Sequence, residues 1–326
     1  MGKGMAHRLY LPQVKKDFRI SERGFSLAAK SLLITGLGRS GTTLIGRIIS
    51  SCDSVEYSFE PPLLVVLFSQ LGHIPDDSWR LLFATYLYEE ICIAGLAGRS
   101  INMNPYDDSS AWRSLGEDEV QRRISRSWRK HEIDQFLAAR PGVNIAYKIP
   151  DLVPILNSFL ELFPTTKVLK MERSLLPTVA SFLSKGWFRQ GDHELMSTRV
   201  YPYFIWDGER VPYWVEAADC AWWVNAAELE RCLYYYYLNM RPVPSTVTSL
   251  SYEDFVESPF AGFTRLSQEL GLQAGAKTEQ LLSTVHSDAV YVRNNSDQLL
   301  EDVRQALHRL PGHCVDDLSQ YIPAPT

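Results

Sequence analysis

Four short segments of the chain read as strands. Residues 31–35 form a nearly continuous apolar run that stops at Gly36, the pattern of a strand buried on both faces. Residues 144–147 end at Lys148, residues 167–171 run into Glu172-Arg173, and residues 246–251 form a late strand. Helical periodicity fills most of the chain between them. Over 43–51, Leu44, Ile45, Ile48 and Ile49 share one side. Residues 63–140 read mostly as helix, with an apolar side at 81–93 and a charged stretch at 117–137, parted by a polar loop at 102–108. Pro177 falls in the first turn of a helix predicted at 175–184. Further helices are expected at 215–238, 258–271, 276–284 and from Gln298 onward. Residues 1–30 read as an irregular leader, and 187–214 as an irregular, aromatic stretch.

Strands alternating with helices predict an α/β fold with a P-loop-like central parallel sheet flanked by helices. A single domain over 1–326 is expected, with helical insertions at about 63–140 and 187–240. Ligands of such sheets bind outside the carboxyl ends of the strands. The candidate residues below lie at or just after those ends, or at the helix starts that follow.

Composition narrows the class. The 326-residue chain carries a formal net charge of −5, which argues against a general nucleic-acid binder but leaves room for one basic pocket. Its five cysteines, at 52, 92, 220, 232 and 314, are odd in number and show no CxxC spacing, so buried free thiols are expected and a disulfide framework or metal site is not. The first residues are polar and basic, with no apolar stretch before Phe25, which predicts neither signal peptide nor membrane anchor and a cytoplasmic enzyme. The longest apolar stretch, 81–98, is interrupted by Glu89-Glu90 and suits a buried helix better than a membrane span.

The chemistry begins at Gly36-Leu37-Gly38-Arg39-Ser40-Gly41-Thr42-Thr43, between the first strand and its helix. Glycines let the backbone curl so that several N–H groups point inward, and the helix N-terminus adds partial positive charge. An anion is expected there. The layout is nearly that of a nucleoside-triphosphate loop, except that Thr42 stands where the phosphate-binding lysine belongs, and Arg39 supplies the cation instead. No Walker-type Asp follows the next strands, where Met171 is followed by Glu172-Arg173, so a magnesium triphosphate site is weakly supported.

Gly-x-x-Arg-Ser-Gly-Thr-Thr-Leu resembles the 5′-phosphosulfate loop of sulfotransferases that use 3′-phosphoadenosine 5′-phosphosulfate (PAPS), particularly the tyrosylprotein and carbohydrate branches and their bacterial relatives. The resemblance covers 31–62 and recurs in patches at 145–185, 248–259 and 290–298. It implies that Gly38, Arg39, Ser40, Gly41, Thr42 and Thr43 bind the sulfated end of PAPS, and that the product is 3′-phosphoadenosine 5′-phosphate. Arg173 ends a strand, and Ser181 lies eight residues on in the next helix; such a pair can converge on one phosphate. The resemblance makes them the 3′-phosphate site, although Ser174-Leu175-Leu176-Pro177 departs from the family's Asn or Asp with Pro just after the Arg. Ser251-Tyr252-Glu253-Asp254 resembles a segment that would put Tyr252 near the adenine, with a packing role as the alternative. Arg293, Asn295 and Ser296 resemble a C-terminal loop that closes over the nucleotide.

Sulfuryl transfer asks for a group that takes the acceptor's proton and for cations that stabilise the transferring group and the leaving phosphate. Lys148, at a strand end in a Lys-x-Pro element, and Arg39 are the candidate cations. Glu60, 21 residues after Arg39, is the candidate base if a short return strand brings it over the loop; its alternative is to order the loop by hydrogen bonds. His193 is the rival base. The aromatics from Trp187 to Tyr237 either line an acceptor pocket or form core. The acceptor is expected to be a small molecule, a carbohydrate or a peptide. A P-loop kinase and a non-catalytic nucleotide-binding protein are the competing readings.

Overall fold

The computed structural model describes residues 18–107, 109–125, 129–139, 144–189, 201–285 and 296–322. It contains β1 (Leu32–Gly36), β2 (Val55–Phe59), β3 (Asn144–Lys148), β4 (Lys167–Glu172), β5 (Tyr203–Trp206), β6 (Glu209–Pro212) and β7 (Val247–Ser251). Five of these form one parallel sheet in the order β2-β3-β1-β4-β7. The chain leaves β1 toward one edge and later crosses to the other, so β1 lies at the point where strand order reverses, the usual binding position in such sheets.

Side-chain alternation divides the strand residues between two faces. Leu33, Ile145, Tyr147 and Val168 face a core closed by helices Pro62–Ser69, Asp76–Thr85 and Leu156–Leu162, with Phe68, Trp79, Phe83 and Phe159 at its centre. Leu32, Ile34, Ala146, Leu169 and Met171 face helices Thr42–Ser50 and Pro259–Leu270. Burial on both faces explains why the strand at 31–35 shows no apolar–polar alternation. A third core gathers around helix Glu228–Met240, where Tyr234, Tyr235, Tyr236 and Tyr237 are all buried against helices Leu175–Lys185, Ser296–Leu307 and Gly312–Ser319.

Three expectations change. The stretch at 1–30 is not wholly irregular: Glu22–Ala29 is a helix whose N-cap Ser21 accepts the Gly24 N–H at 3.1 Å. The irregular stretch at 187–214 contains the β5–β6 hairpin, joined by Asp207-Gly208 with φ of 48° and 81°, both positive as a tight two-residue turn requires. The helix expected at 215–238 is broken into Ala217–Asp219, Cys220–Asn225 and Glu228–Met240. The apolar stretch from 81 is helical and turns π-helical over Tyr86–Ile93. All five cysteines are free and buried. Among the described residues, no helix is long and apolar enough to cross a membrane.

Helix Glu117–Ser125 is fastened to edge strand β2 by a buried ion pair. Arg123 donates to both oxygens of Glu56 at 2.7 Å each, and to Glu119 at 2.7 Å. Arg123→Ala leaves Glu56 buried without its cation, and an expected loss of about 3–5 kcal/mol would appear as a lower urea midpoint. A double variant, Arg123→Met with Glu56→Gln, is expected to recover much of that loss.

Candidate active site

The loop after β1 takes its shape from two glycines. Gly36 has φ 118°, and a Cβ there would lie 2.3 Å from the Met171 carbonyl oxygen. Gly41 has φ 86°, and a Cβ there would lie 2.3 Å from the Tyr252 ring. Both positions exclude a side chain by conformation and by space. Ser40 is fully buried and donates its hydroxyl to the Leu37 carbonyl at 2.7 Å, so its hydrogen is used in bracing the turn. Helix Thr42–Ser50 then opens with its first amides lacking intrahelical partners, an arrangement that favours an anion.

Basic groups gather on the β4 side. Arg39 donates from Nε to the Ser181 hydroxyl at 3.1 Å, and Arg173 donates to the Arg39 carbonyl at 2.8 Å. The Arg173 guanidinium lies 4.7 Å from the Tyr252 ring centroid, and its Nε is buried without a hydrogen-bond partner. Burial pulls the Arg173 pKa down, partly offset by Tyr252 and Glu253. Among the described residues, no carboxylate forms an ion pair with Arg39 or Arg173. Two neighbouring guanidiniums without carboxylate partners make a site for a multiply charged anion.

On the β3 side, the register pairs Phe59 with Lys148, and the Glu60 N–H donates to the Lys148 carbonyl at 3.0 Å. Strand β2 is the short return strand on which the candidacy of Glu60 depended. Lys148 Nζ lies 2.5 Å from Glu60 Oε1, 3.1 Å from Thr43 Oγ1 and 4.4 Å from the Phe59 ring centroid. The Lys148 side chain is nearly enclosed, whereas that of Glu60 is 31% exposed.

Gly38, Arg39, Gly41, Thr42, Thr43, Glu60, Lys148, Arg173 and Tyr252 line one cleft of about 720 Å³; Ser181 joins them through Arg39, and Ser40 stays beneath the loop. Among the described residues, five non-glycine residues have left-handed φ, and three of them, Arg39 (65°), Glu60 (42°) and Asp151 (69°), line this cleft. Such strain collects where a site dictates the backbone. Trp187, Phe188, Tyr201, Tyr213 and Trp214 form its aromatic wall, while Trp223, Tyr234 and Tyr236 are core and Trp206 is exposed. The aromatic region is therefore partly pocket and partly interior. Ser296 opens a helix, and His193, Arg293 and Asn295 lie outside the described residues. Away from the cleft, Glu216, Asp219 and His313 come together, but Asp219 already accepts from Tyr234 and faces His313, and Glu216 pairs with Arg241.

Asp151 was not singled out by the sequence. It lies three residues after Lys148, buried, and both of its carboxylate oxygens accept from phenols: Tyr201 at 2.7 Å and Tyr235. Burial raises its pKa from 3.8 to about 6; the two phenol hydrogen bonds lower it, Glu60 raises it and Lys148 lowers it. The folded form therefore binds a proton more tightly than the unfolded chain. Its contribution to stability is full below pH 4 and is lost as pH rises through about 6, a change on the order of 3 kcal/mol. Thermal unfolding of Asp151→Asn is expected to lack the decline between pH 4 and 6 that the parent shows from this group.

A sequence profile described as the Sulfotransferase family matches residues 31–275. No curated protein matches the chain. Among solved structures, the Sulfotransferase Domain from the Synechococcus PCC 7002 Olefin Synthase is 14% identical, covering 90% of this chain and 95% of that one at a TM-score of 0.42. The Sulfotransferase Domain from the Curacin Biosynthetic Pathway is 15% identical, covering 90% and 98%, also at 0.42. The profile match spans well over half of the sequence and takes in the loop, Glu60, Lys148, Arg173 and Tyr252, so the chain belongs to the Sulfotransferase family.

Proposed function

We propose that the protein transfers a sulfuryl group from PAPS to a hydroxyl or amine of its acceptor, releasing 3′-phosphoadenosine 5′-phosphate. The observation that carries this reading is a lysine-free phosphate loop flanked by two guanidiniums without carboxylate partners, facing the Lys148–Glu60 pair across one cleft. PAPS fits that donor set. It offers a 5′-phosphosulfate for the loop and a separate 3′-phosphate for a second cationic site. In this reading the amides of Gly41–Thr43 and the Arg39 side chain hold the 5′ end over the turn shaped by Gly38 and Ser40, whose own N–H groups go to Tyr235 and to the Leu37 carbonyl, while Arg173 and Ser181 hold the 3′-phosphate. The Tyr252 ring lies against the Arg173 guanidinium and packs against Gly41, the arrangement of a residue that shapes the nucleotide site. Ser296, with Arg293 and Asn295, is assigned to nucleotide closure on the family resemblance.

PAPS supplies a sulfuryl group whose bond to the 5′-phosphate breaks as the acceptor atom bonds to sulfur. Glu60 takes the proton that the acceptor releases. Lys148, held between Glu60 and Thr43, meets the charge that returns to the phosphate. The aromatic wall supplies the surface against which the acceptor packs, and a small molecule, a carbohydrate or a peptide all remain within this reading.

Transfer from labelled PAPS to a panel of acceptors tests the reaction. Glu60→Ala is expected to lower turnover on the order of 10²- to 10⁴-fold with nucleotide affinity kept, since proton transfer contributes about that much. Unchanged turnover would refute Glu60 as the base. Lys148→Ala is expected to cost turnover on the order of 10²- to 10³-fold, as for other removed charge-stabilising donors. Calorimetry with adenosine nucleotides bearing or lacking the 3′-phosphate tests Arg173: Arg173→Ala should bind the two alike, and a preserved preference would misplace the 3′ site.

A further inference from the structure

Asp151 has no part in that chemistry, yet it ties the two sides of the cleft together. Its N–H donates to the Gly36 carbonyl at 3.1 Å, which fixes the turn after β3 to the end of β1. Of its two phenols, Tyr235 rises from helix Glu228–Met240 and Tyr201 belongs to the aromatic wall. Each phenol oxygen also accepts a hydrogen bond. Tyr235 receives the Gly38 N–H of the phosphate loop at 2.8 Å, and Tyr201 receives the Trp214 indole N–H at 2.6 Å. A continuous chain therefore runs from Gly38 through Tyr235, Asp151 and Tyr201 to Trp214.

A hydroxyl that donates to a carboxylate becomes a better acceptor, so each phenol's bond to Asp151 strengthens the N–H bond that phenol receives, while the two phenols compete for the charge of the one carboxylate on which they converge. Weakening one phenol's bond leaves the carboxylate free to move toward the other. Since both oxygens of Asp151 are already taken by phenols, it is placed to orient and not to remove a substrate proton. Its remaining charged and titratable neighbours are Glu60, Lys148 and Tyr213.

We propose that Asp151 is a positioning residue that couples the aromatic wall at Tyr201 and Trp214 to the phosphate loop at Gly38, so that the state of the acceptor wall sets donor affinity. The coupling rests on the reading of the loop as the donor site.

The test is a double-mutant cycle of Tyr201→Phe and Tyr235→Phe, read as calorimetric affinity for 3′-phosphoadenosine 5′-phosphate and repeated with Asp151→Asn. Both phenylalanines keep the ring packing and remove one hydroxyl, and thermal unfolding confirms that each variant is folded. Tyr235→Phe is expected to weaken binding about 3- to 10-fold, the scale of one net hydrogen bond. Tyr201→Phe, whose hydroxyl reaches the loop only through Asp151, is expected to shift it several-fold, with the pair departing from multiplicative behaviour. With Asp151→Asn, Tyr201→Phe should lose its effect on the nucleotide. Multiplicative effects in the Asp151 parent would overturn the coupling, and that cycle decides even if Asp151→Asn does not fold. No nucleotide affinity in the parent would instead sink the donor reading itself.

Discussion

The hydrogen-bonded register of the parallel sheet assembles the cleft. Strand order β2-β3-β1-β4-β7 places, side by side at the carboxyl ends, Glu60, then Lys148, then the glycine loop, then Arg173, then Tyr252. These residues are far apart in sequence, and no pair of them is adjacent along the chain. The pairings of Gly36 with Met171 and of Phe59 with Lys148 fix how far each strand end projects. A slip of one residue would turn every strand side chain to the opposite face and carry the lysine and glutamate away from the loop.

Charge is distributed with the same economy. The chain as a whole is acidic, but the cleft concentrates Arg39, Arg173 and Lys148, and only the last has a carboxylate partner there. A local basic pocket on a chain of net negative charge favours a small polyanion over a long one. In the PAPS reading, preference for a nucleotide over a nucleic acid would follow from the placement of a few cations and not from their total.

Much of this was legible before any coordinates. The glycine loop announces itself because its chemistry is local: turn, amides and helix start are contiguous from Gly36 to Thr43. Lys148 could be placed because it ends a strand whose pattern is visible, whereas the short strand before Glu60 was expected only as the way to bring that residue over the loop. Asp151 could not be placed. Next to Pro150 it reads as an ordinary turn residue, and its partners Tyr201 and Tyr235 are 50 and 84 residues away. Within 234–237 nothing local distinguishes Tyr235, which lines the cleft, from Tyr234 and Tyr236, which do not. The hairpin escaped for the opposite reason: Asp207-Gly208 is a readable turn signal, but the aromatic residues around it obscured the alternation of its short strands. Helix Glu22–Ala29 was similarly signalled by Ser21, whose capping role shows only once the helix is allowed.

Arg39, Glu60 and Asp151 all hold backbone conformations that glycine would adopt with less strain. Backbone strain alone would favour glycine at each of them, but the bonds of Glu60 to Lys148 and of Asp151 to its two phenols offset that strain. Arg39 is the exception: its side chain is exposed and its one side-chain hydrogen bond goes to Ser181, so drift under selection for heat resistance should erode this position first. Retention of Arg39 in a relative would therefore say more about the cleft than retention of the glycines around it, which the architecture needs in any case.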